Sequence, residues 1–194
     1  ELDDTLLGAP LYYAPCVAGY IGGDITAGLL ASDLSNKDGR YLFLDIGTNG
    51  EMALGGKGGF RCCAVASGPA FEGAGISCGM PAIDGAVSHV RFSGGFLYDT
   101  VGNAPPRGLC GSGLIDLIAA LLELGCIDEG GRLLPPDDAP EKMRRYLTCD
   151  ADGNGVFHLT HEVYLTAQDV RNLQLAKAAV AAGISVLLAA EGIT

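Results

Sequence analysis

The spacing of apolar residues changes along the chain between a strand pattern and a helix pattern. Residues 41–44 form an unbroken apolar run of β formers, which predicts a strand buried on both faces. Asp45 interrupts the run, Gly47-Thr48-Asn49-Gly50 follows, and residues 51–54 resume as a second strand. Asn-Gly between two strands is a strong hairpin signal, because both residues tolerate a positive φ. A turn at residues 55–59 leads into a third strand over 60–66. The connections are too short for a crossover, so the three strands should form an antiparallel meander.

Elsewhere the helical period dominates. Asp24 is a candidate N-cap for a helix reaching Ser32, with Ile25, Leu29 and Leu30 on its apolar side. Leu114, Ile115, Leu117, Ile118, Leu121 and Leu122 predict a helix over 112–124 that stops at Gly125. Thr166-Ala-Gln-Asp169 resembles a capping box with Asp for Glu, and opens a helix over 167–190 carrying Leu173, Val180, Ile184 and Leu187. Pro69 suits the first position of a short helix capped by Ser67 or Gly68. Residues 87–92 and 96–101 flank Ser93-Gly94-Gly95 as a hairpin, 156–159 reads as strand, and 11–14 reads as a short strand ended by Pro15.

Composition narrows the class. A chain of 194 residues supports one domain with a real core, and 48% hydrophobic residues argue against disorder. The 30 glycines are dispersed rather than periodic, which excludes a collagen-like or low-complexity chain. A net charge of −11 argues against a nucleic-acid partner or an anionic membrane surface. The seven cysteines are odd in number and contain no CxxC, which suits neither a disulfide framework nor an iron–sulfur or zinc ligand set. Reduced thiols in a cytoplasm are the simpler reading. No signal peptide or membrane span is expected, and the start at Glu1 reads as a piece of a longer protein.

Candidate chemistry concentrates at the first hairpin. Asp45 stands where a strand leaves the core. Gly47 and Gly50 open the backbone to close approach, and Thr48 and Asn49 add side-chain donors. Converging N–H groups beside a carboxylate suit a nucleotide phosphate and its Mg²⁺; an ordinary hairpin is the plain alternative. Glu72 is either a surface charge or a polar group facing the same cleft. The glycine-rich helix entry at residues 108–113 either holds an anion or lets the helix start tightly against a sheet. Cys110 reads as a small buried residue rather than a nucleophile. Asp150-Ala-Asp152-Gly153-Asn154 resembles half a calcium loop, but the twelfth position is His161, so a polar turn is expected.

The strand–DxGTxxG–strand unit resembles a phosphate hairpin of the ASKHA superfamily, which includes actin, sugar and acetate kinases and heat-shock chaperones. DIGTNGEMALG, ASGPAFEGAGISCGM, GLCGSGLIDLIAALLELG and QDVRNLQLAKAAVAAGISVLL occur in that order. Together they resemble the C-terminal region of the reductive activators of corrinoid proteins, ATP-dependent iron–sulfur proteins that return Co(II) corrinoid to Co(I). The resemblance implies an α/β fold: an ASKHA lobe, actin-like or RNase H-like, whose mixed sheet carries an antiparallel meander and flanking helices. Residues 1–34 would be an interlobe strand and connecting helix. Residues 35–194 would be the second lobe, truncated before an adenosine loop of the LAGGFG kind.

By the same resemblance, Asp45 would orient Mg²⁺ through water, and Gly47, Thr48, Asn49 and Gly50 would hold the β- and γ-phosphates of ATP. Glu72 is a candidate for positioning water. A [2Fe–2S] cluster belongs to an N-terminal ferredoxin domain that these residues lack. The implied partners are a corrinoid protein, the other lobe and the ferredoxin domain; a second copy in a homo-oligomer is a candidate from the strand edge and not from the resemblance. Another ASKHA kinase or ATPase, a dehydratase activator, or a non-catalytic docking domain are the alternatives. The first hairpin strand is expected to have its outer edge covered by another segment or a second copy. The chain alone is expected to bind ATP weakly.

Overall fold

The computed structural model describes residues 12–193. The chain divides into two compact units, one built from residues 12–45, 51–64 and 183–193, the other from 46–50 and 65–182.

In the first unit, α1 (Gly23–Ala31) precedes a three-stranded sheet of β1 (Tyr41–Ile46), β2 (Gly50–Gly56) and β3 (Gly59–Val65), in that spatial order. Three residues join β1 to β2 and two join β2 to β3, which permits only antiparallel pairing. A small core joins Ile21, Ile25 and Ala53, with Leu29, Phe43, Phe60, Cys62 and Ala64 packed against it. Gly28 lies under the Phe43 ring, where a Cβ would stand 2.5 Å from Cζ; the helix can approach the sheet only without a side chain there.

Several sequence expectations change in this unit. The strand buried on both faces is β2, whose Met52, Ala53 and Leu54 are all buried. β1 instead lies at the sheet edge with Leu42, Leu44 and Ile46 exposed and Tyr41 and Phe43 half-buried. Among the described residues no strand pairs with its outer edge. Leu30 is exposed, and Asp24 sits in the first turn of α1 with Gly22 at the cap. Residues 12–14 form no strand; Tyr12 and Tyr13 are exposed and lack a pairing partner, and Leu11 lies outside the described residues.

In the second unit, β4 (Ala86–Phe92) pairs antiparallel with β5 (Phe96–Thr100), placing Val90 opposite Tyr98. It pairs parallel with β6 (Gly108–Leu109), which runs directly into α2 (Gly111–Glu123). The glycines of the α2 entry are packing devices. A Cβ on Gly111 would lie 2.0 Å from the Phe71 carbonyl oxygen, and one on Gly113 2.0 Å from that of Val87. α2 buries Leu114, Leu117, Ile118 and Leu121 but exposes Ile115 and Leu122. It ends in a Schellman motif: Gly125 at φ +70°, with Cys126 N donating to Leu121 O and Gly125 N to Leu122 O.

A second antiparallel sheet follows, β7 (Leu147–Cys149), β8 (Gly155–His158) and β9 (Tyr164–Thr166), with β8 central. Phe157 of β8 meets Phe96 of β5 edge-on at 4.9 Å, tying the two sheets through aromatic contact. The β7–β8 connection is a polar turn in which Asp150 Oδ1 accepts from Asp152 N and Asn154 N. These bonds hold its carboxylate below the usual range, the Asn154 contacts contributing most.

α3 (Ala167–Ala190) closes the described structure and runs from the second unit into the first. By length and composition alone it is apolar enough to cross a membrane, a test that the core helix of a soluble fold also passes. In the fold its Val170, Leu173 and Ala176 belong to the same core as α2 and Phe157.

Two outcomes follow from this packing. Gly113→Ala should destabilise the protein by about 1–3 kcal/mol, since the Val87 carbonyl cannot move without disturbing β4. Urea unfolding should show a lower midpoint at unchanged slope, and an unchanged midpoint would contradict the packing. The seven thiols are free, Cys16 and Cys149 exposed and Cys110 and Cys126 buried. Burial pushes the Cys126 thiol up to about 11. Alkylation of the native protein at pH 8 should therefore label Cys16 and Cys149 first and Cys126 only on unfolding.

Candidate functional site

The tip of the β1–β2 hairpin is too short and glycine-rich to fix its own shape. Within the tip, Gly47 N donates to Asn49 O at 3.1 Å. The remaining order comes from the loop after β3. Ser67, only 7% exposed, directs its hydroxyl at two tip carbonyls, Gly47 O at 3.1 Å and Thr48 O at 3.4 Å. Gly68 at φ +74° then turns the chain, and Pro69 opens a single 3₁₀ turn, Pro69–Glu72, ended by Gly73 at φ +82°. That turn presents Glu72, whose Oε2 accepts a hydrogen bond from Thr48 Oγ1.

Five of the residues singled out from the sequence therefore share one place: Gly47, Thr48, Asn49 and Gly50 at the tip, with Glu72 at its hydroxyl. A Cβ on Gly47 would stand 3.4 Å from Glu72 Oε1, so the missing side chain is what leaves this carboxylate unobstructed. Ser67 was expected only as a helix cap; the N-cap is Gly68 and no side chain caps the turn. A small polar residue between a strand and Gly-Pro is a faint sequence signal for such a tie.

Asp45 lies on β1 in the first unit, exposed. Its neighbourhood is acidic. The Glu51 carboxyl is pushed above its ordinary range, first by burial and then by the charges of Asp24 and Asp45, against a backbone hydrogen bond from Gly22. Glu51 was read from sequence as no more than a strand residue. The charges of Asp24 and Asp45 disfavour that of Glu51, and a divalent cation would relieve this. Among the described residues no three His, Cys, Asp or Glu side chains stand in metal-holding positions. A cation here would keep most of its ligands as water and phosphate, the habit of Mg²⁺.

Beside Glu72 a cleft is lined by Phe71, Met80, Cys110, Gly111 and Ser112. Cys110 is buried with Sγ 3.3 Å from Val87 O and 3.4 Å from Ser112 Oγ, which suits a packed thiol and not a nucleophile.

The raised Glu51 pKa gives a signed expectation. Its charged form is less favourable in the folded than in the unfolded chain, so folding gains stability as pH falls from neutrality through the raised folded value toward 4.5. Glu51→Gln should raise Tm at pH 7, and the gain should shrink below pH 4.5. An equal gain at both pH values would contradict the electrostatic cause.

The chain and its fold match known proteins. Residues 40–194 match the family model described as the C-terminal domain of RACo, the ASKHA domain. The chain is 35% identical to the corrinoid activation enzyme RamQ of Eubacterium limosum over 192 residues, 93% of this chain and 32% of that protein. It is 40% identical over 80 residues to the [Co(II) methylated amine-specific corrinoid protein] reductase of Methanosarcina barkeri, 41% of this chain and 15% of that one. Among solved structures, a reductive activator for corrinoid, iron–sulfur protein superposes with a TM-score of 0.84 at 43% identity, covering 94% of this chain and 30% of that one. The chain thus spans about a third or less of the length of the relatives it matches. Family model and fold agree, and the chain belongs to the family of the RACo C-terminal ASKHA domain.

Proposed function

We propose that this chain supplies one phosphate-binding hairpin to an ATP-dependent activator that drives reduction of corrinoid Co(II) to Co(I). The observation that carries the reading is the hairpin tip fixed from outside by Ser67, with Glu72 at the Thr48 hydroxyl. The names of the relatives, corrinoid activators and a Co(II) corrinoid protein reductase, supply the reaction class.

The residues fit Mg-ATP in a defined way. Gly47 and Gly50 leave backbone accessible, and the Thr48 backbone N–H and the Asn49 side chain would offer donors to the β- and γ-phosphates, the Thr48 hydroxyl proton being held by Glu72. Asp45, next to the tip in sequence, would orient the Mg²⁺ of the nucleotide, the most direct use of a carboxylate at the end of β1. Glu72 stands beside the phosphate position as an acceptor. A carboxylate there disfavours a bare polyphosphate, so it suits a role in orienting the attacking water. When bound, Mg-ATP supplies the free energy that makes an uphill electron transfer proceed, by favouring one conformation of the complex.

The cysteine spacing, without a CxxC, suits no [2Fe–2S] ligand set, and this reading gives the electron-donating cluster to a ferredoxin-type domain of the activator. The partners of this reading are a corrinoid protein, a second ASKHA lobe, a ferredoxin-type domain and a second copy of the activator, in a cytoplasm.

The test is a chimera. Residues 40–193 of this chain replace the matching segment of the solved reductive activator, and Co(II) corrinoid reduction is followed by absorbance with and without Mg-ATP. The chimera should reduce the corrinoid only with ATP, and Asp45→Ala should slow it at least about tenfold, roughly 1.4 kcal/mol of transition-state stabilisation. An ATP-independent chimera, or one indifferent to Asp45→Ala, would overturn the reading. The 194-residue chain alone should bind Mg-ATP more weakly than micromolar. That affinity needs about 8 kcal/mol, whereas each hydrogen bond contributes about 0.5–1.5 kcal/mol. Tight binding by calorimetry would show that one hairpin is a complete site.

A further inference from the structure

Asp169 is a carboxylate only 1% exposed, distant in sequence from the hairpin. Its two oxygens accept four hydrogen bonds from two different segments. Oδ2 takes Thr166 N at 2.9 Å and Thr166 Oγ1 at 2.8 Å, while Asp169 N returns a bond to Thr166 Oγ1, closing the capping box of α3. Oδ1 takes Ser77 N at 2.8 Å and Ser77 Oγ at 3.1 Å. A helix start needs only the first set. The second set is a tie to the loop that carries Ser67 and Glu72.

That loop transmits position because it has little slack. Asn172, on the next turn of α3, donates from Nδ2 to Gly75 O at 2.7 Å, a second grip on the same segment. Gly73 and Gly79 lie backbone against backbone: a Cβ on Gly79 would stand 1.8 Å from Gly73 O, and one on Gly73 2.5 Å from Met80 N. Leu109 N donates to Cys78 O at 2.7 Å, and Met80 N donates to Leu109 O at 2.9 Å. Glu72 immediately precedes Gly73. A charge buried this deeply persists only if its lone pairs are filled, and the α3 N-terminus adds favourable potential. The Ser77 bonds are therefore held against loosening by the cost of leaving Oδ1 bare.

We propose that Asp169 is a positioning residue: through Ser77 it holds the interlocked 73–79 segment so that Glu72 meets the Thr48 hydroxyl. Its meaning for catalysis rests on the function proposed above; the positioning itself does not. The experiment is NMR on the 194-residue chain, labelled at the backbone and at threonine methyls. Asp169→Asn and Ser77→Ala should shift the Thr48 amide and methyl resonances, and Ser77→Thr, which keeps the hydroxyl, should restore them. In a Glu72→Ala background the shift at Thr48 caused by Asp169→Asn should collapse, because the group that accepts from the Thr48 hydroxyl is gone. Thr48 resonances unmoved by both variants would overturn the proposal, as would an equal shift in the Glu72→Ala background, the mark of a generally loosened fold. If Asp169→Asn fails to fold, Ser77→Ala, which keeps the carboxylate, decides alone, compared with and without Glu72→Ala. In the chimera, Ser77→Ala should lower kcat for ATP turnover several-fold at unchanged KM. An unmutated chimera without turnover would count against the function reading, and the NMR result would still decide the positioning.

Discussion

The Ser67 hydroxyl is the constraint from which the site's geometry follows. A three-residue connection between β strands that contains glycine has many accessible conformations, and fixing one costs entropy. One buried hydroxyl shared between the Gly47 and Thr48 carbonyls selects a single arrangement. A net hydrogen bond of this kind contributes about 0.5–1.5 kcal/mol, here to the half-buried Gly47 carbonyl above all. With the tip so held, the Thr48 hydroxyl falls to Glu72, and the side of Gly47 is left open.

What holds Ser67 and Glu72 is packing through absent side chains. Gly73 against Met80, Gly79 against Gly73, Gly111 against Phe71 and Gly113 against Val87 each bring backbone to within a distance no Cβ allows. The loop is thereby clamped between the hairpin tip, the β6–α2 junction and the first turns of α3. In the first unit the organising effect is electrostatic. The charge of Glu51, on the central strand, is opposed first by burial and then by Asp24 and Asp45.

Much of this was legible from the sequence because local signals agreed with the fold. Asn49-Gly50 and the apolar runs placed β1, β2 and β3 within a residue or so, Gly125 marked the end of α2, and Thr166–Asp169 opened α3 as a capping box. The family motifs were recognisable for the same reason: they contain the glycines that the packing requires. The failures share a cause. Whether Leu42 and Leu44 face solvent depends on which strand lies beside β1, and an apolar run carries no record of that. Leu30, Ile115 and Leu122 were assigned to the core on period alone, yet a helix touching its neighbours along one narrow face leaves its flanks exposed. Ser67 bonding to Gly47 and Asp169 bonding to Ser77 join segments far apart in the chain, and no local pattern encodes such pairs.

The central claim is that the hairpin tip owes its conformation to Ser67. Native-state hydrogen exchange at the amides of Gly47, Thr48, Asn49 and Gly50, in the wild type and in Ser67→Ala, tests it directly. The account predicts that Ser67→Ala speeds exchange at the tip at least about tenfold, a local loss of roughly 1.4 kcal/mol, while the α2 amides keep their protection. Tip exchange unchanged by Ser67→Ala in a folded protein would show that the hairpin sets its own shape, and the account would fail.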